Sequence, residues 1–163
     1  MRKVDRRVRN IPIKTIIPNM ITSGSVLCGV SSIVLTSHGQ LVQAAFLIFF
    51  AVFFDVMDGR VARSLGGSSA FGEELDSLAD AISFGVAPAF LFYSAYIDGY
   101  VTGAAWVMAT AFYALCGVLR LARFNVTHVA AGPFQGLPIP AGGLTLASFV
   151  VADFPLTPLV AAS

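Results

Sequence analysis

Long apolar stretches follow one another along most of this 163-residue chain, separated by short segments of turn-forming residues. A helix needs roughly 20 apolar residues to cross the hydrocarbon core of a membrane. The stretches predict five full spans, at residues 18–37, 41–63, 72–96, 103–122 and, shorter, 137–152. Residues 154–163 are apolar but too few to cross, so either the protein has five spans or the chain stops within a sixth. The predicted fold is all-α, a polytopic membrane helical bundle of five full spans plus a truncated sixth.

The composition is that of a membrane protein. Hydrophobic residues make up 56% of the chain and charged residues only 12%, which is about half the charged fraction of soluble domains. Cys28 and Cys116 lie in apolar stretches without the spacing of a metal or redox motif, which predicts thiols buried in the core. A charged side chain within such a stretch is unfavourable and therefore indicates a functional site.

Basic residues are concentrated at the N-terminus. Six of the ten Lys and Arg residues lie within the first fourteen positions. This predicts two regions, a basic juxtamembrane arm at residues 1–15 and a membrane domain at residues 16–163. The positive charge before the first span predicts a cytoplasmic N-terminus. The arm suits an anionic membrane surface, although a solvated and poorly ordered terminus explains the same residues.

Four aspartates lie where the second and third predicted spans meet the cytoplasmic side, namely Asp55, Asp58, Asp76 and Asp80. Asp55 and Asp58 share one helix face, as do Asp76 and Asp80, and residues 64–71 between the pairs indicate a tight turn. The four carboxylates are therefore predicted to meet. Clustered negative charges repel one another in a low dielectric, and oxygen ligands favour hard ions such as Mg²⁺ or Mn²⁺. The pattern predicts a site for two metal ions.

The spacing of the aspartates also carries a family resemblance. The chain contains the pattern Asp55-x-x-Asp58-Gly59-x-x-Ala62-Arg63, followed after eight residues by Gly72-x-x-x-Asp76-x-x-x-Asp80. At every specified position this pattern resembles the signature of the CDP-alcohol phosphatidyltransferases, which are integral membrane enzymes that make phospholipids. Further stretches resemble the phosphatidylserine synthases of the bacterial and archaeal membrane type, at residues 18–22, 83–88, 120–125 and 136–140. Together these cover most of the chain from residue 18 to about residue 145.

The resemblance implies transfer of a phosphatidyl group from CDP-diacylglycerol to L-serine, with release of CMP. It also implies a homodimer and two divalent ions, with the metal ligands Asp55, Asp58, Asp76 and Asp80. Asp80 is in addition the implied general base, which takes the proton of the attacking hydroxyl. The implied CDP-diacylglycerol site consists of Asp58, Gly59, Ala62, Arg63 and Gly72. Gly59 and Ala62 leave room for the nucleotide, and Arg63 can pair with the diphosphate.

Serine needs a hydrogen-bond donor for its carboxylate close to the metals. Arg120, Arg123 and Asn125 lie at the cytoplasmic end of the fourth predicted span, on the same side as the aspartates. A guanidinium can hold a carboxylate through two hydrogen bonds, so these residues are the predicted serine site. The alternative is that both arginines only reach lipid phosphates.

Two glutamates and two histidines have simpler explanations than a role in the site. Glu73 and Glu74 begin a predicted helix, where acids interact favourably with the helix dipole, and His38 and His128 are predicted in loops outside the site.

Alternative functions are compatible with some of these features. The same chemistry could use another acceptor, such as glycerol 3-phosphate or inositol phosphate. An ion transporter would place its acids near the membrane midplane on broken helices. A third alternative is a non-catalytic or truncated lipid-binding relative, which the complete set of four aspartates argues against but the short C-terminus leaves open.

Overall fold

The part of the chain that the structure describes is a bundle of helices. The structure is a computed structural model and describes residues 13–66, 69–96, 104–127 and 137–152. The helices are α1 (Ile13–Ser37), α2 (Leu41–Ser64), α3 (Ala70–Asp80), α4 (Ala87–Tyr96), α5 (Ala104–Thr127) and α6 (Ile139–Val151). A π-helical segment, Ala81–Val86, joins α3 to α4. No strand occurs among the residues in these ranges, so the all-α prediction is confirmed there.

Turns at both ends of α2 reverse the chain. Gly39, between α1 and α2, has a φ of 75°, and Gly66, after α2, has a φ of 100°. Glycine adopts this left-handed region without steric cost. Ser69 then caps α3, since its hydroxyl oxygen accepts a hydrogen bond of 3.0 Å from the backbone N–H of Gly72. Helix α3 therefore begins at a defined residue shortly after α2 ends.

Small residues allow α2 to pack closely against its neighbours. Its core positions recur at helical spacing, and the side chains of Ala44, Ala45, Ile48 and Ala51 are fully buried. Helix α1 makes the most extensive contact with α2, and α6 also packs on it. The π segment, α4 and α6 complete the core with Phe84, Leu91, Ile139, Ala147 and Val150.

The distribution of polar and apolar side chains is that of a protein in lipid. Large apolar side chains are exposed on the outside of α2 and α5, among them Phe46, Phe50, Phe53, Met108, Phe112 and Leu119. Several polar side chains are instead buried between helices, namely Thr22, Ser25, Ser32, Thr36, Asp58 and Ser83. Apolar side chains on the surface meet lipid tails favourably, and small polar residues are common between membrane helices. This arrangement agrees with the membrane composition of the chain.

Four helical stretches are long and apolar enough to cross a membrane, at Ile16–Ser37, Leu41–Ser64, Ala70–Tyr96 and Ala104–Asn125. They correspond to the first four predicted spans and support an integral membrane protein. Helix α6 has 13 residues, which is shorter than a full span, so the prediction of five spans plus a truncated sixth is not confirmed. Residues 1–12 of the basic arm and residues 153–163 lie outside the described residues.

The two cysteines differ in their surroundings. Cys28 of α1 is half-buried and packs against the core, as predicted. The prediction for Cys116 was wrong, because this residue is exposed on α5. Almost all of the apolar window of α5 lies on the outside of the bundle, so an apolar sequence there indicated a lipid-facing residue rather than a core residue.

The π segment is held tightly between α1, α5 and α6. The Ser83 hydroxyl is fully buried and donates a hydrogen bond of 2.9 Å to the carbonyl oxygen of Ser25. Gly29 of α1 lies so close that a Cβ atom there would be 2.6 Å from Ser83 Oγ. On another side, the Tyr113 hydroxyl donates to the carbonyl oxygen of Phe84 at 3.4 Å. These contacts fix the backbone immediately after Asp80.

Candidate active site

Three carboxylates meet between the second half of α2 and the C-terminal half of α3. Asp55 comes from α2, and Asp76 and Asp80 lie one turn apart on α3. Each residue contributes one carboxylate oxygen, and these three oxygens all lie within 4.8 Å of one another. All three residues are half-buried. Helix α1 packs against both α2 and α3, so it connects the two sides of the cluster.

Asp80 contains an atom that lacks a hydrogen-bond partner. Its Oδ1 atom is buried and accepts no hydrogen bond from the described part of the chain. The carboxylates of Asp55 and Asp76 lie beside it, and the charge of each acts on Asp80. A buried carboxylate oxygen without a partner is unfavourable, and neighbouring negative charges make it more so. A divalent cation would relieve both costs, so the three residues fit a metal ion with oxygen ligands.

Asp58 occupies a different position from the other three aspartates. Its side chain is only 5% exposed, and its Oδ2 atom accepts a hydrogen bond of 2.6 Å from the Thr22 hydroxyl of α1. Asp58 does not belong to the group whose oxygens come within 4.8 Å of one another. Its charge nevertheless acts on Asp55, Asp76 and Asp80. The assignment of Asp58 as a metal ligand therefore stays a prediction.

Helix α1 brings two residues to the site that the sequence motifs did not identify as functional. The Thr22 hydroxyl contacts Asp58, and Asn19 Oδ1 lies 3.0 Å from where a Cβ atom on Gly72 would stand. Both α1 residues lie in the stretch of residues 18–22 that resembles the phosphatidylserine synthases, but the resemblance assigned no role to either, and the remaining signal was a polar residue within an apolar span. That signal is weak, because a buried threonine can also hydrogen-bond its own helix, and the carbonyl oxygen of Pro18 lies only 3.0 Å from the Thr22 hydroxyl oxygen.

The residues predicted to bind the nucleotide differ in burial and in the space around them. A Cβ atom on Gly59 would meet only the Nη1 atom of Arg63, at 3.6 Å, so this surface of α2 has space for a ligand. Arg63 itself is exposed and Ala62 is half-buried. Gly72 is more crowded, since a Cβ atom there would lie 3.0 Å from Asn19 and 3.3 Å from Ser69 Oγ. Close packing against α1 is therefore sufficient to explain glycine at position 72.

The residues predicted to bind serine lie near the end of α5, and one of them is linked to the aspartate cluster. Asn125 Nδ2 donates to Ser77 Oγ at 3.0 Å, and the Ser77 hydroxyl lies 3.2 Å from Asn125 Oδ1. Ser77 follows Asp76 directly, so this contact connects α5 to the cluster. Arg120 is half-buried and Arg123 is exposed.

The remaining polar residues lie away from the cluster or outside the described part of the chain. His38 is in the turn between α1 and α2, where its Nδ1 atom is 2.7 Å from the carbonyl oxygen of Val34. This is the opposite end of α2 from the aspartates. Glu73 and Glu74 are exposed near the start of α3, as predicted for acids at a helix N-terminus. His128 lies outside the described residues.

Comparison with known proteins identifies relatives over most of the chain. An archaetidylserine synthase of Methanothermobacter thermautotrophicus is 42% identical over 141 residues, which cover 85% of this chain and 59% of that protein. A CDP-diacylglycerol–serine O-phosphatidyltransferase of Helicobacter pylori is 39% identical over 83% of this chain and 57% of its own length. The enzyme of the same name from Bacillus subtilis is 38% identical over 90% of this chain and 80% of its own length.

The matched region covers most of this chain but a smaller share of two of the three relatives. The chain spans a little under three-fifths of the length of the first two relatives but four-fifths of the Bacillus subtilis protein. The sequence profile described as CDP-alcohol phosphatidyltransferase matches residues 15–160, which include every helix described above except the first two residues of α1. Since nearly the whole chain matches this profile, the protein belongs to the CDP-alcohol phosphatidyltransferase family.

Proposed function

We propose that this protein transfers a phosphatidyl group from CDP-diacylglycerol to L-serine and releases CMP. The observation that carries the proposal is the convergence of Asp55, Asp76 and Asp80, with one buried oxygen of Asp80 lacking a partner. The names of the relatives from Helicobacter pylori and Bacillus subtilis indicate serine as the acceptor. The reaction forms a bond between the serine hydroxyl oxygen and the phosphorus that carries the diacylglycerol. It breaks the bond from that phosphorus to the oxygen of CMP.

The family is dependent on divalent metal, and an acidic cluster suited to such an ion is present. We infer that two ions, Mg²⁺ or Mn²⁺, are held by Asp55, Asp58, Asp76 and Asp80. Bound there, the ions supply charge neutralisation for the diphosphate and for the departing phosphate. The protein's own part is to keep the carboxylates together in a half-buried position, which the contacts of α1 with α2 and α3 support.

Asp80 is the proposed general base. The serine hydroxyl must lose its proton as its oxygen attacks phosphorus, and a carboxylate oxygen within reach can accept that proton. Asp80 Oδ1 has no hydrogen-bond partner among the described residues, so it need not give up an existing bond to take this role. The π segment directly after Asp80 keeps its backbone in place through the Ser83 and Gly29 contacts.

The nucleotide is proposed to bind along α2. The surface of Gly59 is open except for the guanidinium of Arg63, which is 3.6 Å from where a Cβ atom on Gly59 would stand. A ligand that reaches Gly59 therefore also reaches Arg63, whose planar group suits a diphosphate. Asp58, Ala62 and Gly72 complete the proposed CDP-diacylglycerol site.

Serine is proposed to bind at the end of α5. The hydrogen bonds between Asn125 and Ser77 bring this end of α5 beside Asp76. Arg120 or Arg123 would hold the carboxylate of serine and so direct its hydroxyl towards the aspartates. Asn125 would act through its position next to Ser77.

The N-terminus and the active site are proposed to lie on the same side of the membrane. We infer that the N-terminus and the active site are cytoplasmic, because the basic residues precede α1 and the aspartates lie at the end of α2 that returns to the same side. Residues 1–15 would form a juxtamembrane arm and residues 16–163 the membrane domain. The fifth predicted span would include α6, and the protein would function as a homodimer.

An acceptor screen tests the proposal. The purified full chain in detergent is incubated with CDP-diacylglycerol, Mn²⁺ or Mg²⁺, and one acceptor at a time, and the release of CMP and the lipid product are measured. We expect phosphatidylserine from serine, no product with EDTA, and recovery when metal is restored. Product only from glycerol 3-phosphate or inositol phosphate would replace serine as the acceptor. Metal-dependent cation flux in liposomes without CMP release would contradict the transferase function.

A further inference from the structure

A short hydrogen bond joins α1 to the aspartate signature on α2. The Thr22 hydroxyl lies 2.6 Å from Asp58 Oδ2, and the two residues are 36 positions apart in the chain. Thr22 is 4% exposed and Asp58 is 5% exposed, so water competes little for this contact. Hydrogen bonds from a hydroxyl to an ionised carboxylate are short and stronger than those between neutral groups. The contact is therefore strong enough to fix the orientation of the Asp58 side chain.

The hydroxyl of Thr22 has one proton and two acceptors within reach. The carbonyl oxygen of Pro18 lies 3.0 Å away and Asp58 Oδ2 lies 2.6 Å away. The carboxylate is the closer acceptor and, when ionised, the better one. A hydrogen bond donated to Oδ2 uses one lone pair of that oxygen and fixes the rotation of the Asp58 carboxylate, so that the other oxygen can face a cation.

Another threonine of the same helix shows that burial in α1 does not require a carboxylate partner. Thr36 is 3% exposed, and its hydroxyl donates to the carbonyl oxygen of Ser32 at 2.8 Å, four residues earlier. Thr22 has the equivalent carbonyl oxygen, that of Pro18, within reach at 3.0 Å and has Asp58 Oδ2 as a second and closer acceptor at 2.6 Å. The contact with Asp58 is thus the difference between two otherwise similar buried threonines.

We propose that Thr22 is a positioning residue that holds Asp58 so that a single carboxylate oxygen faces the metal site. This inference rests on the proposed function, since it assumes that Asp58 binds the metal. Asp58 lies outside the group formed by Asp55, Asp76 and Asp80, so its orientation decides whether it can contribute. Loss of a partner that orients a metal ligand typically weakens metal binding by about 10- to 100-fold.

Direct measurement of Mn²⁺ binding tests this role without any substrate. The full chain in detergent is titrated with Mn²⁺, and free aqueous Mn²⁺ is followed by electron paramagnetic resonance. Thr22→Val has nearly the shape of threonine but no hydroxyl, and we expect it to bind Mn²⁺ about 10- to 100-fold more weakly. Thr22→Ser restores the donor and should recover most of the affinity. Thr36→Val, the matched control, should bind as the unchanged protein does.

A double variant separates positioning from a general structural effect. If Thr22 acts through Asp58, Thr22→Val should weaken binding much less in an Asp58→Asn background than in the unchanged protein. Equal weakening in both backgrounds, or unchanged affinity in Thr22→Val, would overturn the inference. If Thr22→Val does not give a single symmetrical peak on gel filtration, Thr22→Ala is measured in its place with the same expectations.

Asp55→Asn distinguishes a failure of this inference from a failure of the metal site itself. Loss of Mn²⁺ binding in Asp55→Asn with normal binding in Thr22→Val would reject only the role of Thr22. Normal binding in both variants would reject the metal site on which the proposed function depends, and the role of Thr22 with it.

Discussion

Asp80 and Asp58, two aspartates of the same signature, differ in their hydrogen bonding. The Oδ1 atom of Asp80 is buried without a partner in the described part of the chain, whereas Asp58 is bound by Thr22. The motif spacing predicted that the acids converge, and this is confirmed for Asp55, Asp76 and Asp80. The separate position of Asp58 could not be predicted, because it depends on a side chain of α1 that is remote in the sequence.

The proposed base role of Asp80 predicts a specific kinetic effect. Asp80→Asn keeps the shape of the side chain but cannot accept the hydroxyl proton, so kcat should fall by about 10²–10⁴-fold. The KM for CDP-diacylglycerol should change far less, since proton transfer belongs to the transition state. Steady-state kinetics at saturating Mn²⁺ measures both values, with Glu74→Gln as the control for loss of a nearby exposed charge. Equal losses in kcat and in CDP-diacylglycerol affinity would indicate that Asp80 has a purely structural or metal-holding role and is not the base.

The arginines of α5 allow a second prediction at the scale of single residues. Lysine keeps the positive charge but lacks the two-pronged geometry of a guanidinium. Arg→Lys at position 120 or 123 should therefore raise the KM for serine strongly and leave the KM for CDP-diacylglycerol nearly unchanged. Arg60→Lys is the control, because Arg60 is an exposed arginine of α2 that lies close in sequence to Asp55 and Asp58 but is not predicted to bind serine. Normal serine dependence in both single variants would move the serine site elsewhere, with residues 136–140 the next region to examine.

The π segment is the element that the sequence did not predict. An apolar run with helical spacing indicated one continuous span at residues 72–96, and the chain is indeed helical from Ala70 to Tyr96. The widened turn at Ala81–Val86 does not change the pattern of polar and apolar residues, because all of its residues are apolar or small. It is accounted for by tertiary contacts of Ser83 and Phe84 with three other helices. Such π turns are frequent at functional sites.

The close contact at Gly29 makes the π segment testable as an element. A Cβ atom at position 29 would lie 2.6 Å from Ser83 Oγ and 2.8 Å from Ser83 Cα, which is backbone and cannot rotate away. Gly29→Ala should therefore displace the segment, destabilise the protein by about 1–3 kcal/mol and reduce activity. Gly85→Ala is the matched control within the segment, since its nearest neighbour, Ile139 Cδ1, would be 3.7 Å away. Thermal unfolding in detergent measures the difference, and equal melting temperatures for the two variants would contradict it.

At the scale of the whole molecule, the sequence was most informative about helices and least informative about the faces they present. The first four predicted spans match the helical stretches that can cross a membrane within a few residues at each end, because length and apolar content decide both. Which face of a span meets lipid was less predictable. Cys116 is exposed on α5 and Cys28 is half-buried against the core, although both lie in similarly apolar sequence.

The proposed topology makes a prediction about sidedness. Helix α2 has 24 residues, which at roughly 1.5 Å per residue gives about 36 Å, enough to cross a hydrocarbon core of about 30 Å. Its two ends must then lie on opposite sides of the membrane. The turn with His38 should be external and the end at Ser64, near the aspartates, cytoplasmic, because the basic residues before α1 favour the cytoplasm.

Single-cysteine labelling measures this arrangement. In a background with Cys28→Ala and Cys116→Ala, one reporter cysteine is introduced as His38→Cys or Ser64→Cys, two positions that are both exposed. A membrane-impermeant maleimide should label His38→Cys in intact cells and Ser64→Cys only after permeabilisation. Each variant must retain transferase activity, so that the labelled protein is the folded one. The reverse pattern would place the aspartates outside the cell, away from any cytoplasmic supply of nucleotide-activated lipid, and would contradict both the sidedness and the assignment of the basic arm.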